Sequence, residues 1–364
     1  MLKKIVHLLY SGLGGHAEYF FNFYIGLLNE NSDLKCFPVF FGVEPLRESY
    51  IRKCKELGID YYYVRKNVGV AASAHFKVYK LLKKLQPEVV IIHSNLLIPV
   101  SFLYAKCFYS AKLLFVEHQS NDLKRRREWL WTLMSMRLSD YNIYLTERYR
   151  SEVERKIGFL FNKPKAKVIN SALDIDLYPR YIPKKDCLKV IIGMQGRMVS
   201  IKDHTTLIKA ILILNEKYPE VSWILRLAGD GVTREGLENI VSELGLESCV
   251  EFCGMLGEED LKDFMLSLDI YVHATFGETM STAIMQAQAY GLPIIGSDVG
   301  GVNNVITHNV NGLLVQVCND EELANAIYYL KNYDVRKLFS DNSRSYALDN
   351  LSINQMIDKY LGFI

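Results

Sequence analysis

The sequence lacks an apolar run long enough to cross a membrane. The longest apolar stretch, about residues 96–105, is shorter than the roughly 18 residues that a spanning helix requires. The apolar start at residues 5–10 is too short for the core of a secretory signal peptide and runs directly into a Gly-rich turn. We therefore expect neither a signal peptide nor a membrane span.

Cysteine pairs of the kind that bind zinc are also missing. The seven cysteines include no Cys-x-x-Cys, and no histidine lies at ligand spacing from the closest two, Cys249 and Cys253. This usage indicates reduced thiols in a cytosolic protein. The 364 residues, of which 23% are charged and nine are proline, have an ordinary globular composition and suffice for two domains.

The net charge of +2 conceals two halves of opposite sign. Residues 1–180 contain 28 Lys and Arg against 17 Asp and Glu, whereas the remainder contains 15 against 24. The first half therefore carries +11 and the second −9. A basic half beside an acidic half suggests that the first half faces an anionic partner.

Short apolar runs alternate with amphipathic stretches along both halves. We predict strands at 3–10, 36–42, 60–64, 88–93, 112–117 and 141–145, a linker at 181–187, and a new series of strands from 188–194 onward. Helical periodicity lies between the strands and again at the tail, 352–361. This alternation predicts a doubly wound parallel sheet in each half.

Residues 269–301 contain the densest chemical pattern. A buried strand at 270–274 leads through a loop at Gly277 into a helix that ends at Gly291. Such a loop points free N–H groups and the positive end of the helix dipole at one place, which suits phosphate. Glu278 stands before the helix and Gln286 eight residues later, so hydrogen-bonding groups for two sets of sugar hydroxyls flank that place.

The pattern Phe-Gly-Glu-Thr-Met-Ser-x4-Gln-Ala-x-Ala-Tyr-Gly-Leu-Pro-Ile-Ile resembles the Glu-x7-Glu signature of retaining glycosyltransferases of family four. The later Asp-Val-Gly-Gly-Val and Asn-Gly-Leu-Leu-Val agree with it. Gln286 replaces the second glutamate, and Asn304 stands where the family has an acid after Gly-Gly. The resemblance implies the GT-B fold: two Rossmann-like domains, 1–182 and 183–345, face each other across a cleft, and a terminal helix, 346–364, returns to the first.

The resemblance also implies a diphosphate clamp, because Gly196-Arg197-x4-Lys202 matches the family's Gly-Arg-x4-Lys. Two cations at a strand end can converge on one anion. Together with Glu278 and the amides of Thr279, Met280 and Ser281, they would neutralise a departing diphosphate without a metal. The remaining donor-binding residues implied by the family are Gly14, Gly15, Gly229, Met255 and Gln286, the last holding the ribose.

Two histidines follow predicted strand ends, where open α/β sheets present ligand residues. They are His93 and His118. By resemblance, His118 is the family's histidine near the donor sugar and acceptor. Polar loop histidines without a role are the alternative for both, more so for His93.

The Gly-rich turn after the first strand has a second interpretation. Gly12-Leu13-Gly14-Gly15-His16-Ala17 satisfies G-x-G-x-x-A, and Glu44 after the next strand could hold a ribose, so a dinucleotide-dependent oxidoreductase is a rival hypothesis. It leaves the cation pair of the second half unexplained. A tight turn that needs glycine only for its backbone is a further alternative.

Residues 124–127 form a cationic run, Lys-Arg-Arg-Arg, followed by two tryptophans. Basic residues beside Trp, Leu and Met on a helix fit an anionic membrane surface. A helix whose apolar side packs on the sheet is the alternative, and no nucleic-acid motif accompanies the run, so we expect no nucleic-acid partner.

The resemblance implies a metal-independent retaining hexosyltransferase, and the basic first half suggests that it lies peripherally on the inner face of the cell membrane. The donor would be a nucleotide-diphosphate sugar and the acceptor a lipid-linked glycan of a bacterial surface polysaccharide, such as lipopolysaccharide or capsule. Asp174-x-Asp176 is similar to a metal motif of a different glycosyltransferase fold, so we expect no metal. A nucleotide-sugar epimerase or phosphorylase and a non-catalytic partner subunit remain alternatives.

Overall fold

A computed structural model of the chain describes residues 3–12, 15–30, 34–69, 72–119, 121, 124–185, 188–278, 280–362 and 364. The chain forms two compact units. The first comprises Met1–Ala172 with Ile353–Ile364, and the second comprises Leu173–Ser352. The chain therefore passes between units at Ala172 and Ile353, whereas the sequence suggested residues 182 and 346.

The first unit is built on a parallel sheet of seven strands. The strands are β1 Lys4–Tyr10, β2 Lys35–Gly42, β3 Tyr62–Arg65, β4 Val89–Ile92, β5 Lys112–Glu117, β6 Tyr141–Tyr144 and β7 Ala166–Val168. Their spatial order is β3-β2-β1-β4-β5-β6-β7. The helices are α1 Gly15–Asn29, α2 Glu48–Glu56, α3 Ala72–Leu85, α4 Ile98–Tyr104, α5 Arg126–Leu138 and α6 Glu147–Ile157, and a π-helical turn, Ala105–Tyr109, extends α4.

The second unit has a parallel sheet of six strands. The strands are β8 Lys189–Gln195, β9 Ser222–Ala228, β10 Val250–Gly254, β11 Ile270–His273, β12 Ile294–Ser297 and β13 Leu313–Val315. Their order is β10-β9-β8-β11-β12-β13. The helices are α7 His204–Lys217, α8 Arg234–Glu243, α9 Glu258–Ser267, α10 Thr282–Tyr290, α11 Asp320–Lys331 and α12 Tyr333–Asn350.

The central strands are buried because helices cover both faces of each sheet. All four residues of β4 and all four of β11 are buried. Helix α10 ends at Gly291, which adopts φ +77°, and the N–H of Leu292 returns to the carbonyl of Ala287. Two doubly wound parallel sheets confirm the predicted fold class.

The strand order reverses once in each sheet, and ligands of such sheets bind at the carboxyl ends of the strands on either side of the reversal. In the first unit this switch point lies between β1 and β4, and in the second between β8 and β11. The segments that leave these four strands are therefore the places to seek a site.

The last helix, α13 Ile353–Leu361, belongs to the first unit and packs on α1. A Cβ atom on Gly26 would lie 2.4 Å from Cγ1 of Ile357, so this glycine allows the two helices to approach closely. The hydroxyls of Tyr19 and Tyr360 are 2.7 Å apart and buried. The return of the terminal helix agrees with the GT-B expectation.

Candidate functional site

The loop after β8 and the loop after β11 pair with each other at the switch point of the second sheet. Lys202 forms an antiparallel bridge with Thr275, and the N–H of Phe276 donates to the carbonyl of Ile201 at 2.9 Å. The N–H of Asp203 donates to Ala274 at 3.0 Å. This pairing fixes Lys202 beside the segment that enters α10.

Four polar side chains meet where α10 begins. The ammonium of Lys202 is ion-paired with Oε1 of Glu278 and lies 2.9 Å from Nε2 of His273. The same nitrogen of His273 lies 3.1 Å from Glu278 Oε1 and 3.2 Å from Oγ of Ser281, the N-cap of α10. The structure therefore brings together three predicted residues, Lys202, Glu278 and Ser281, around a histidine that sequence reasoning did not select.

The hydrogen bonds of the Tyr271 hydroxyl determine the tautomer of His273. The hydroxyl of Tyr271 donates to the carbonyl of Gln195 at 3.3 Å and lies 3.2 Å from Nδ1 of His273. Because the proton of Tyr271 is already used, the His273 proton belongs on Nδ1, which leaves Nε2 as an acceptor for Lys202. Burial and the charge of Lys202 lower the pKa of His273 to about 4, so the ring is neutral at pH 7.

Glu278 is held in its charged form. Burial alone would raise its pKa, but the contact with His273 and the charge of Lys202 outweigh burial and lower the pKa to about 2. Its ion pair with Lys202 and its 3.1 Å approach to Nε2 of His273 both involve Oε1, and Oε2 has no partner in the part of the chain that the structure describes. This carboxylate can therefore accept a hydrogen bond from a ligand hydroxyl while it remains paired.

Gly301 packs directly on the backbone of Glu278. A Cβ atom at residue 301 would lie 1.8 Å from the Glu278 carbonyl oxygen, so only glycine fits. The Gly-Gly turn after β12 thus supports the loop that carries the carboxylate. Thr279, whose amide was predicted to contact the diphosphate, lies outside the described residues, whereas Met280 and Ser281 directly precede α10.

Arg197 is placed differently from Lys202. The two were predicted to face one diphosphate together, but Lys202 is paired with Glu278, and Arg197 is exposed on the loop after β8. Across the described ranges, the guanidinium of Arg197 has no hydrogen bond or ion pair. The N–H donors of Arg197 are therefore available to a ligand, but no hydrogen bond or ion pair among the described residues links Arg197 to the Lys202 cluster.

The loops after β8 and β9 approach each other closely at Gly229. This residue adopts φ +136°, and a Cβ atom there would lie 1.9 Å from the carbonyl oxygen of Gly196. The N–H of Gly229 donates to the carbonyl of Gly254 at 2.7 Å. Met255 follows Gly254 and is 73% exposed. The predicted residues Gly229 and Met255 thus lie at the ends of neighbouring strands.

Gln286 faces Gln195 from the second turn of α10. The amide nitrogen of Gln195 donates to Oε1 of Gln286 at 3.3 Å. The oxygen of Gln286 is therefore partly satisfied within the protein, whereas its NH₂ group remains to donate to a ligand.

The switch point of the first unit is occupied by histidines. Nδ1 of His7, on β1, lies 3.0 Å from Nε2 of His93, and Nδ1 of His93 lies 2.8 Å from Nε2 of His118. The ring of His16, on α1, is centred 4.4 Å from that of His118. Gly15 begins α1, and Gly14 lies outside the described residues. Sequence reasoning selected His93 and His118 but missed His7 and His16.

The cationic run at 124–127 is only partly exposed, so the expectation of four surface cations is wrong at Lys124. Its ammonium is buried and donates to Glu117 at 2.9 Å and to Thr132 at 3.1 Å. It also lies 4.8 Å from the ring of Trp129. Only the three arginines that follow, residues 125–127, are exposed.

Glu44, which the dinucleotide hypothesis assigned to a ribose, lies against the Gly-rich turn. A Cβ atom on Gly12 would lie 2.0 Å from its Oε2, and the hydroxyl of Tyr10 donates to its Oε1 at 3.3 Å. The carboxylate of Glu44 therefore packs on the turn itself.

Both parts of the chain match family models of glycosyltransferases. Residues 13–177 match the model described as Glycosyltransferase Family 4, and residues 182–346 match the model described as Glycosyl transferases group 1. The chain is a glycosyltransferase of the family-four type. This identification contradicts the oxidoreductase hypothesis.

Known proteins resemble this glycosyltransferase over most of its length. An "uncharacterized glycosyltransferase" of Haemophilus influenzae is 27% identical over 79% of each chain. The Escherichia coli UDP-Gal:alpha-D-GlcNAc-diphosphoundecaprenol alpha-1,3-galactosyltransferase is 23% identical over 78% of this chain and 76% of its own. Crystal structures of HepE from Anabaena, solved in complex with UDP and with UDP-glucose, share the fold. The UDP complex superposes with a TM-score of 0.82 at 18% identity, over 99% of this chain and 100% of HepE.

The glycosyltransferase has, among its described helices, none that is both long and apolar enough to cross a bilayer.

Proposed function

We propose that this glycosyltransferase is a metal-independent, retaining enzyme that moves a hexose from a nucleotide-diphosphate donor to a lipid-linked glycan. The observation that carries the proposal is the group of Lys202, His273, Glu278 and Ser281 at the start of α10. It combines a cation, a charged carboxylate and a helix N-terminus at a topological switch point, the combination that a sugar diphosphate requires.

The diphosphate binds the cation and the helix start. Lys202 has three ammonium protons, of which Glu278 and His273 engage two, so one remains for a phosphate oxygen. Arg197 supplies a second, exposed cation, and the amides at the start of α10 add dipoles of the right sign. These groups stabilise the charge that develops on the leaving diphosphate.

Glu278 binds the transferred sugar through its unpaired oxygen. In the reaction, the bond between the anomeric carbon and the diphosphate oxygen breaks, and a bond to the acceptor oxygen forms on the same face of the sugar. The proton of the acceptor hydroxyl passes to the diphosphate, so no protein carboxylate has to act as a nucleophile. His118 positions the substrates, and Gln286 binds the ribose.

A lipid-linked acceptor is supported by relatives and by the surface of α5. The E. coli relative is named for an acceptor on diphosphoundecaprenol. On α5, Leu130 and Met134 are 61% and 40% exposed and lie one turn apart, with exposed Arg126 and Arg137 beside them. Apolar side chains flanked by cations favour an anionic bilayer surface, which would place the enzyme peripherally on the inner face of the cell membrane.

A non-catalytic partner subunit is the second candidate, because Gln286 and Asn304 replace two acids of the family pattern. A nucleotide-sugar epimerase or phosphorylase would need no glycan acceptor, and would leave the α5 surface without a role.

The test is product analysis with a panel of nucleotide-diphosphate sugars and membrane extract as the acceptor source. We expect one donor to yield a lipid-linked product with the donor's anomeric configuration, at a rate that EDTA does not change. Neither transfer nor hydrolysis with any donor would favour the partner subunit, and a product of inverted configuration would contradict the retaining mechanism.

A further inference from the structure

Three imidazoles in the first unit form a continuous hydrogen-bonded chain. His7 lies on β1, His93 directly follows β4 and His118 directly follows β5, and these strands are neighbours in the order β1-β4-β5. The two links, His7 Nδ1 to His93 Nε2 and His93 Nδ1 to His118 Nε2, measure 3.0 and 2.8 Å. Each ring of the chain therefore uses a defined nitrogen toward the next.

The three rings are neutral at pH 7. Burial lowers the pKa of His7 to about 3. Burial, and then the neighbouring histidines, lower the pKa of His93 and of His118 well below the usual value. A neutral imidazole has one N–H and one lone pair, so each link needs one proton and all protons of the chain must point the same way.

The buried end of the chain decides that direction. Nε2 of His7 is buried and has no hydrogen-bond partner among the described residues. The His7 ring packs on Phe20 and Phe23, with centroids 5.0 and 4.7 Å away. A buried N–H without an acceptor is rarer and less tolerable than a lone pair without a donor, so the proton of His7 belongs on Nδ1, the atom that faces His93.

The position of the proton on His7 determines the tautomer of His118. If His7 Nδ1–H donates to His93, then His93 carries its proton on Nδ1 and donates to Nε2 of His118. His118 must then carry its own proton on Nδ1, the only ring nitrogen left for a ligand. The ring centroids of His16 and Tyr19 lie 4.4 and 5.5 Å from that of His118, the Tyr19 ring perpendicular to it, and this packing restricts rotation of the His118 ring.

We propose that His7 and His93 are positioning residues that hold His118 as the neutral Nδ1–H tautomer, so that His118 donates a hydrogen bond to a substrate oxygen. The part concerning substrate rests on the proposed function. The chain does not deliver a proton. It fixes one tautomer of His118. A hydroxyl or ring oxygen of the sugar or acceptor therefore faces the Nδ1–H donor of His118 and not an unprotonated nitrogen.

The first test needs no substrate. In ¹⁵N-histidine-labelled protein at pH 7, proton–nitrogen correlation spectra should show His118 and His93 neutral and protonated on Nδ1, the less common tautomer of free histidine. A His118 ring protonated on Nε2, or on both nitrogens, would overturn the proposal. This result does not depend on transferase activity, so its failure is distinguishable from failure of the proposed function.

The second test uses two substitutions at one position. His93→Asn places an amide N–H near the position of the imidazole Nδ1, so this variant should keep the His118 tautomer and remain within about threefold of wild-type kcat/KM. His93→Asp places a carboxylate oxygen, which can only accept, at the same position; we expect His118 to carry a proton on Nε2 and kcat/KM to fall about tenfold, mostly in kcat. Equal kinetics for His93→Asp and wild type, with thermal unfolding confirming that the variant is folded, would overturn the positioning role.

Discussion

The ammonium of Lys202 has two protein partners and three protons. Glu278 and His273 orient it, and the third proton is the one that a phosphate can take. The sequence predicted Lys202 and Glu278 from their spacing around strand ends. It could not predict His273, because a histidine at the end of the run Ile-Tyr-Val-His is indistinguishable from a core residue until the segments around Lys202 and Thr275 pair.

At Gln286 we predict a gain from restoring the acid. Gln286→Glu should lower the KM for the donor about fivefold, because a carboxylate accepts from both ribose hydroxyls while still accepting from Gln195. Initial rates against donor concentration measure it. A KM that rises would show that the amide, not a carboxylate, is what this site requires.

At the scale of the elements, Gly229, which directly follows β9, sets how closely two loops approach. Gly229→Ala should lower the free energy of unfolding of the second unit by about 2–3 kcal/mol and weaken donor binding, because its Cβ would overlap the Gly196 carbonyl at a positive φ. Urea unfolding provides the measurement.

The matched control for that prediction is Gly236, on α8. A Cβ atom there meets no other heavy atom within 4 Å, so Gly236→Ala should be neutral or stabilise by up to about 1 kcal/mol. Equal effects of the two substitutions would contradict the close approach of the loops.

Helix α5 is the element expected to contact lipid. In flotation with vesicles containing phosphatidylglycerol, the double variant Leu130→Gln, Met134→Gln should bind at least about fivefold more weakly than wild type. Leu338→Gln, on α12, removes a side chain that is 57% exposed in the other unit and should bind as wild type does. Vesicle binding by wild-type protein that added salt does not weaken would argue against a basic membrane face. An equal loss of vesicle binding in the α5 and α12 variants would argue against it as well.

Most elements could be predicted because their signals are local. Runs such as Val-Val-Ile-Ile identify strands buried on both faces, and Gly291 with Pro293 identifies the end of a helix. Lys124 could not be placed, since its run of cations is typical of an exposed surface. Its partner Glu117 ends a strand, and Trp129 covers the pair only after α5 has packed.

At the scale of the whole molecule, buried neutral histidines make stability depend on pH. Burial lowers the pKa of His7 to about 3, and of His16, His204 and His273 to about 4. An unfolded histidine titrates near pH 6.5, so between about pH 6.5 and 4 the unfolded chain binds protons that the folded chain does not. Each of these histidines should then reduce the free energy of unfolding by about 1.4 kcal/mol per pH unit as the pH falls.

Urea midpoints between about pH 8 and 4.5 measure this dependence. We expect little change above about pH 7.5 and a steep decline below about pH 6.5. His7→Phe should flatten the decline of the first unit, whereas His308→Asn, at an exposed position, should not alter that of the second. A midpoint that is constant or rises as the pH falls would contradict the neutral state of these rings.

Calorimetric titration with nucleoside diphosphates and the matching monophosphates tests the diphosphate site most directly. Wild-type protein should bind one diphosphate at least about tenfold more tightly than its monophosphate, and Lys202→Met should abolish this preference while Lys209→Met, exposed on α7, keeps it. A monophosphate that binds as tightly as the diphosphate, or an undiminished preference in Lys202→Met, would contradict a diphosphate site at the start of α10.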